Sequence, residues 1–381
     1  MAQGSGGPRR HCPGYRERGP HRSLESRHLR GGHHRAGGGL RGRGCPGPRD
    51  LRVTGAFLNP PLSPHASDYH SPVLVDRVLE FLSLAPDPGE RRIMDGTLGG
   101  GGHTEAILRR IPGSVVLGVD RDPAAIREAR SRLASFESEG RLQVVEDRFD
   151  SVARQVGVAG PVLSGALLDL GVSSRQIDED GRGFTFRDGA PLDMRMAGEG
   201  GSGAEPTAAD LLAELDEDEL ARLFREKGEE RGSRALARAV VAARSEAPLR
   251  TSDDLVAVIA SVYRRPPLAK EKARIFQALR IEVNDEIESL EEALPALRDA
   301  LLPGGVLVVI AYHSLEDRPV KRTLREWSRS CICPPELPVC RCRGEALGEL
   351  LTRSVVRPTP QEVAENPRSR SARLRAWRKA P

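Results

Sequence analysis

Short apolar runs recur along the chain, each followed by a stretch whose apolar positions repeat every three to four residues. The runs lie in "RRIMDGT", "SVVLGVDRD", "RLQVVEDRF" and "SGALLDLGVSS", with helices predicted to begin at Thr104 and Pro123 between them. Strands that are apolar on both faces and separated by helices form a parallel sheet covered on both sides. The pattern therefore predicts a doubly wound α/β domain, ordered from about "YHSPVLVDRVLEFL" onward. From about residue 178 to 290 the strand signal stops. Two long segments there, "AADLLAELDEDELARLFREKGEERGSRALARAVVAARS" and "SDDLVAVIASVYRR", carry helical spacing with Ser, Thr or Asp near their starts. The sheet pattern resumes in "LPGGVLVVIAYHSLED". The predicted organisation is a sheet domain built from residues 67–177 and 291–381, interrupted by a helical insertion over 178–290. Ligands of such a sheet lie outside the carboxyl ends of its strands.

Composition adds a division of charge. Residues 1–52 hold 12 arginines against 3 acids, and residues 318–381 hold 15 lysines and arginines against 6 acids, so the net +4 conceals an acidic centre. Basic ends suit a polyanionic partner. Residues 1–66, rich in Gly, Arg, Pro and His, have too little apolar surface to offset the entropy of ordering and are expected to be a disordered basic extension. The preferred explanation for this segment is a translation start assigned too far upstream. No apolar run approaches the roughly 18 residues of a spanning helix, and no secretory segment follows Met1, so the expected setting is cytoplasmic, with no membrane.

Chemistry concentrates at the strand ends. "MDGTLGGGGHTEAIL", residues 94–108, is a glycine-rich turn that would present bare backbone and a helix N-terminus to a ligand. The dinucleotide fingerprint would need a third glycine at Thr104. Asp95, at the end of the first strand, would repel a pyrophosphate but suits the ammonium group of S-adenosylmethionine. Asp120, at the next strand end, can accept hydrogen bonds from both ribose hydroxyls, a feature that fits NAD equally well. Phe149 could pack on an adenine ring or serve as an ordinary core residue. Asp169, Ser173, Ser174 and Gln176 crowd the fourth strand end. Two rival classes remain beside a methyl-donor enzyme: a non-catalytic RNA-binding assembly factor and an NAD-dependent oxidoreductase.

In order along the chain, "HSPVLVDRVLEFL", "DGTLGGGGHT", "DRDPAAI", "LLDLGVSSRQID", "RGFTFRDGAPLDMRM", "GEERGSRALARAVV", "FQALRIEVNDEI", "AYHSLEDR" and "EVAENPRSRSARLRA" resemble the small-subunit ribosomal RNA cytosine-N4 methyltransferases, the MraW family. The likeness runs from about Tyr69 to Trp377. It implies a class I, Rossmann-like methyltransferase fold with a helical insertion and S-adenosylmethionine as donor. The implied acceptor is the exocyclic amine of a decoding-centre cytosine, in free ribosomal RNA or in the assembled small subunit. The implied cofactor positions are Gly101, Gly102, His103, Asp120, Phe149, Asp169 and Gln176. One departure is "KEKAR", Lys270 to Arg274, where the family carries a His-containing run. Either a single chain or a homodimer is compatible with the sequence.

The N4 amine is a poor nucleophile because its lone pair is delocalised into the ring, so an acceptor for its hydrogens and in-line alignment are the expected catalytic devices. Asp169 is the expected acceptor, with His313, and after it Asp317, as candidates for orienting the base or taking its proton. The loop containing Arg182, Phe184, Phe186 and Arg195 is either a stacking surface for an unstacked base or a lid over the cofactor. The segment "NPRSRSARLRAWRKA" is expected to act as a basic phosphate-binding tail. Cys331, Cys333, Cys340 and Cys342 form two close pairs that could give a tetrahedral thiolate site for zinc, but C-x-C is not the usual zinc knuckle; reduced loop thiols are the preferred reading of the two, and no metal ligand is assigned.

Overall fold

A computed structural model describes residues 72–198, 205–334, 337, 339 and 341–381. The predicted extension over 1–66 lies outside the described residues. The described strands are β1 (Arg91–Asp95), β2 (Ser114–Asp120), β3 (Leu142–Glu146), β4 (Leu163–Asp169), β5 (Leu301–Ala311), β6 (Gly348–Leu350) and β7 (Arg373–Lys379). They form one sheet in the order β3-β2-β1-β4-β5-β7-β6. The first five are parallel, and β7 pairs antiparallel with both β5 and β6.

Alternation along each strand feeds two cores. Ile93, Val116, Leu167 and Val308 face one side, where they meet α1 (Val75–Leu82), α2 (Gly102–Arg110) and α3 (Pro123–Ser138). Met94, Val119, Leu168 and Val309 face the other. Because both faces are covered, every residue of β4 before Asp169 is buried, which is why the strand reads as a continuous apolar run. The second face meets α4 (Phe149–Val158), then α11 and α12, described below.

After β4 comes the short α5 (Ser174–Asp178), then α6 (Ala208–Glu214), α7 (Glu217–Glu226), α8 (Ser233–Glu246), α9 (Ser252–Tyr263) and α10 (Ala269–Val283). Helices α6 to α10 enclose a third core around Phe224, Leu255, Ile275 and Leu279. Thr207, Asp216 and Thr251 each form a capping box, with Asp210, Glu219 and Asp254 three residues on, so these starts are encoded locally. Helix α11 (Glu286–Ala300) is different: Leu290, Ala293, Leu294 and Leu297 pack on the sheet. The boundary placed at 290 from the sequence thus falls inside a helix whose apolar face belongs to the sheet domain, and the third core ends at Val283. Helix α12 (Ser314–Trp327) and α13 (Pro360–Glu365) complete the helices.

The segment expected as a basic tail is instead an interior strand. Leu374 and Ala376 face the first core and Trp377 the second, all fully buried. Three of its arginines are committed to protein partners: Arg375 donates to both oxygens of Asp317 at 2.7 and 3.0 Å, Arg378 pairs with Glu349, and upstream Arg368 pairs bidentately with Asp178. Paired in this way, these arginines are not free to hold phosphates.

Candidate active site

The carboxyl ends of β1, β2, β4 and β5 open onto a cavity whose far wall includes Met196, Asn284 and Glu286. Its floor is the turn after β1. Gly99, Gly100 and Gly102 line it, whereas Gly101 does not. Gly101 has φ +80°, and a Cβ there would come within 2.8 Å of Leu133 on α3, so this glycine serves the packing of two helices. Helix α2 begins at Gly102, two residues before the predicted start, which places His103 in its first turn.

Asp95 does not face the ligand space. It is fully buried behind the turn, where it accepts the Thr104 hydroxyl at 2.6 Å and the Thr97 amide at 3.2 Å. A carboxylate at a strand end can point into the site or back under the turn, and here the two Thr partners fix the second choice. Thr97 also accepts the Asp169 amide through its own hydroxyl at 2.6 Å, tying the end of β1 to that of β4.

Asp120 does line the cavity. It accepts the amides of Gly99 at 2.8 Å and Asp122 at 2.9 Å. Burial pushes its carboxyl up to about 6, against these amides, with Asp122 and Asp95 adding repulsion. Phe149, at the start of α4, lies half-buried in the wall. Gln176 is buried within a capping box: its side-chain oxygen accepts the Ser173 amide, and its amide group donates to Asp122 at 3.0 Å.

Asp169 stands at the centre. The Tyr312 hydroxyl donates to it at 3.0 Å, and the His103 Nδ1 lies 3.6 Å from its other oxygen. The other His103 nitrogen is 2.9 Å from the Val73 carbonyl, which can only accept, so Nε2 carries a proton. Burial pushes the Asp169 carboxyl up to about 6, while His103 and Tyr312 pull it down. The Tyr312 phenol is driven well above its usual range by burial and by Asp169, so it stays a donor.

His313 is not among the lining residues. It caps α12, with Nδ1 accepting the Glu316 amide, while Nε2 lies 3.0 Å from the Glu316 carboxylate and 3.2 Å from Arg280. Asp317 is likewise taken by Arg375. The 182–195 loop offers no free stacking plane from the residues singled out. Phe186 packs edge-on against Phe276 with Lys272 over its ring, and Phe184 joins the third core. Arg182 donates to Asp122 and Met196, and Arg195 pairs with Asp193. Tyr312 and Thr97 escaped the sequence reading. The signal for Tyr312 was available: β4 and β5 are parallel neighbours, and a residue just past the end of β5 falls beside Asp169.

The cavity's charge is its most informative property. Arg148 is paired with Asp150, and Arg121 with Glu205. Asp120 and Asp147 are met by amides and a hydroxyl, and among the described residues no cation pairs with either. Such a lining favours a positively charged ligand and opposes a pyrophosphate, which fits the donor set expected for S-adenosylmethionine. A cavity of this charge, at the carboxyl edge of a sheet ordered in this way, places the protein in the class of Rossmann-like methyltransferases. The chain belongs to the MraW methylase family, whose profile matches residues 67–380. It is 49% identical over 312 residues to the ribosomal RNA small subunit methyltransferase H of Gemmatimonas aurantiaca, covering 82% of this chain and 96% of that one. It is 45% identical over 320 residues to the protein of the same name from Heliobacterium modesticaldum, covering 82% and 98%.

Proposed function

We propose that the protein transfers a methyl group from S-adenosylmethionine to the N4 amine of a cytosine in the decoding centre of small-subunit ribosomal RNA. The observation that carries this reading is the Asp169 carboxyl, exposed to the cavity at the end of β4 and oriented from behind by Tyr312 and His103. The donor, when bound, supplies an electrophilic methyl group. The chain's own residues do the rest. Asp120 would hold a diol, Phe149 would offer an apolar face, and the backbone at Gly99, Gly100 and Gly102 would hold the amino-acid end. Asp169 accepts a hydrogen of the incoming amine, which localises the nitrogen lone pair toward the methyl carbon, and a carboxyl titrating near 6 can then hold the released proton.

His313 acts here as a positioning residue, fixing the start of α12 and through it Glu316, whose carboxylate accepts the Tyr312 amide at 2.7 Å. The substrate in this reading is RNA, and among the described residues no helix is long and apolar enough to cross a membrane. The test is methyl transfer from labelled donor to unmodified small-subunit RNA and to assembled subunits, with the product nucleoside identified by mass spectrometry. N4-methylcytidine is expected, and Asp169→Asn is expected to bind RNA normally while losing about a hundredfold or more in kcat. A methyl group found on carbon, or undiminished transfer by Asp169→Asn, would sink the assignment.

A further inference from the structure

The stretch between α12 and β6, residues 328–347, is a long connection for a compact domain, and none of its described residues belongs to a helix or strand. Three of its apolar side chains, Ile332, Leu337 and Val339, are exposed. Yet it brings sulfurs together. The Sγ atoms of Cys331, Cys333 and Cys342 all lie within 4.8 Å of one another. Zinc–sulfur bonds of about 2.3 Å in a tetrahedron set sulfurs about 3.8 Å apart, so little side-chain rotation separates this cluster from a metal site.

The backbone supports the same conclusion independently. The Ile332 amide donates to the Cys342 sulfur at 3.3 Å, and the Arg341 amide donates to the Cys333 sulfur at 3.3 Å. Each C-x-C segment therefore points an amide at a thiol of the other. Arg343 anchors the loop by donating to the Glu326 and Arg329 carbonyls at the end of α12. Three soft sulfur donors gathered on an exposed connection are the donor set of a structural zinc site.

We propose that Cys331, Cys333 and Cys342 bind a structural zinc ion that fixes the connection between α12 and β6. This revises the expectation of reduced loop thiols drawn from C-x-C spacing alone. The fold brings Cys342 back beside Cys331 and Cys333, and spacing along the chain does not register that.

The test uses the full chain, produced with added zinc and purified without a metal-affinity step. Elemental analysis is expected to give about one zinc per chain, and X-ray absorption at the zinc edge three or four sulfur neighbours at about 2.3 Å. Replacement by cobalt(II) should produce a thiolate charge-transfer band. The double variant Cys333→Ser, Cys342→Ser should retain at least about tenfold less zinc while still binding the methyl donor, because neither residue belongs to the cavity. Zinc absent from the zinc-loaded wild type, iron in its place, a nitrogen or oxygen shell, or a disulfide among these residues in the purified protein would overturn the proposal. The sulfur count needs no variant, so it stands even if the double variant misfolds.

Discussion

Opposed influences compete over the Asp169 carboxyl: burial, with Asp95 and Glu316, favours its neutral form, while the His103 ring and the Tyr312 hydroxyl favour its charge. Tyr312→Phe removes the one hydroxyl that orients it without emptying the space. Steady-state kinetics should show kcat lowered about tenfold or more, with donor affinity close to wild type. An unchanged kcat would mean that Asp169 needs no support from β5. Titration gives a second expectation. Asp120 and Asp169 both titrate near 6, with Asp95 and Asp122 facing the first and Asp95, His103, Tyr312 and Glu316 facing the second. A cationic donor binds their ionised forms, so its affinity should be level above pH 7 and fall below pH 6, by up to about tenfold per pH unit for each carboxylate involved. Calorimetry from pH 5 to 8 reads this directly. In the donor-free chain the sign reverses. These two groups have folded pKa values above those of an unfolded chain, so their contribution to stability grows as pH falls from 6 toward 4 and is lost as pH rises through 6.

Among the elements, β7 carries the clearest stability prediction. The Trp377 ring is fully buried, meets Trp327 edge-on at 5.1 Å, and donates its indole N–H to Ser328 at 3.2 Å. Trp377→Ala should destabilise the fold by about 3–5 kcal/mol in denaturant unfolding. A loss below about 1 kcal/mol would place β7 outside the cooperative unit. The same strand marks the limit of what sequence could tell. Strands β1 to β5 were legible because each carries a short apolar run, continuous in β4 and in the second half of β5, where both faces are buried. Strand β7 reads "RLRAWRK", and Arg375 sits in the interior only because Asp317, from a distant part of the chain, neutralises it. Local pattern has no access to that pairing.

Across the whole molecule, the helical insertion reaches the cavity at Asn284, whose carbonyl accepts from Arg121 of the sheet domain at 3.4 Å. The Asn284 side chain donates to the Met194 and Arg280 carbonyls at 2.8 Å each and accepts the Met196 amide at 2.8 Å. Asn284→Ala leaves those groups without partners. It should cost about 2–3 kcal/mol in thermal or chemical denaturation and weaken donor binding, since Met196 and Asn284 both line the cavity. Wild-type affinity in this variant would show that the far wall is dispensable. The site was legible to the extent that it depends on strand ends: Asp120, Phe149, Asp169 and Gln176 all reach the cavity. It was illegible where side-chain direction decides, as with Asp95 turned under the turn and His313 spent on a helix cap.

The interior position of β7 has a consequence for biogenesis. While residues 312–372 are still being translated, β5 has its parallel neighbour β4 but leaves its other edge unpaired. Closure of the sheet must wait for Arg373–Lys379 to emerge from the ribosome, so the nascent enzyme carries an open, strongly apolar strand edge late into its synthesis.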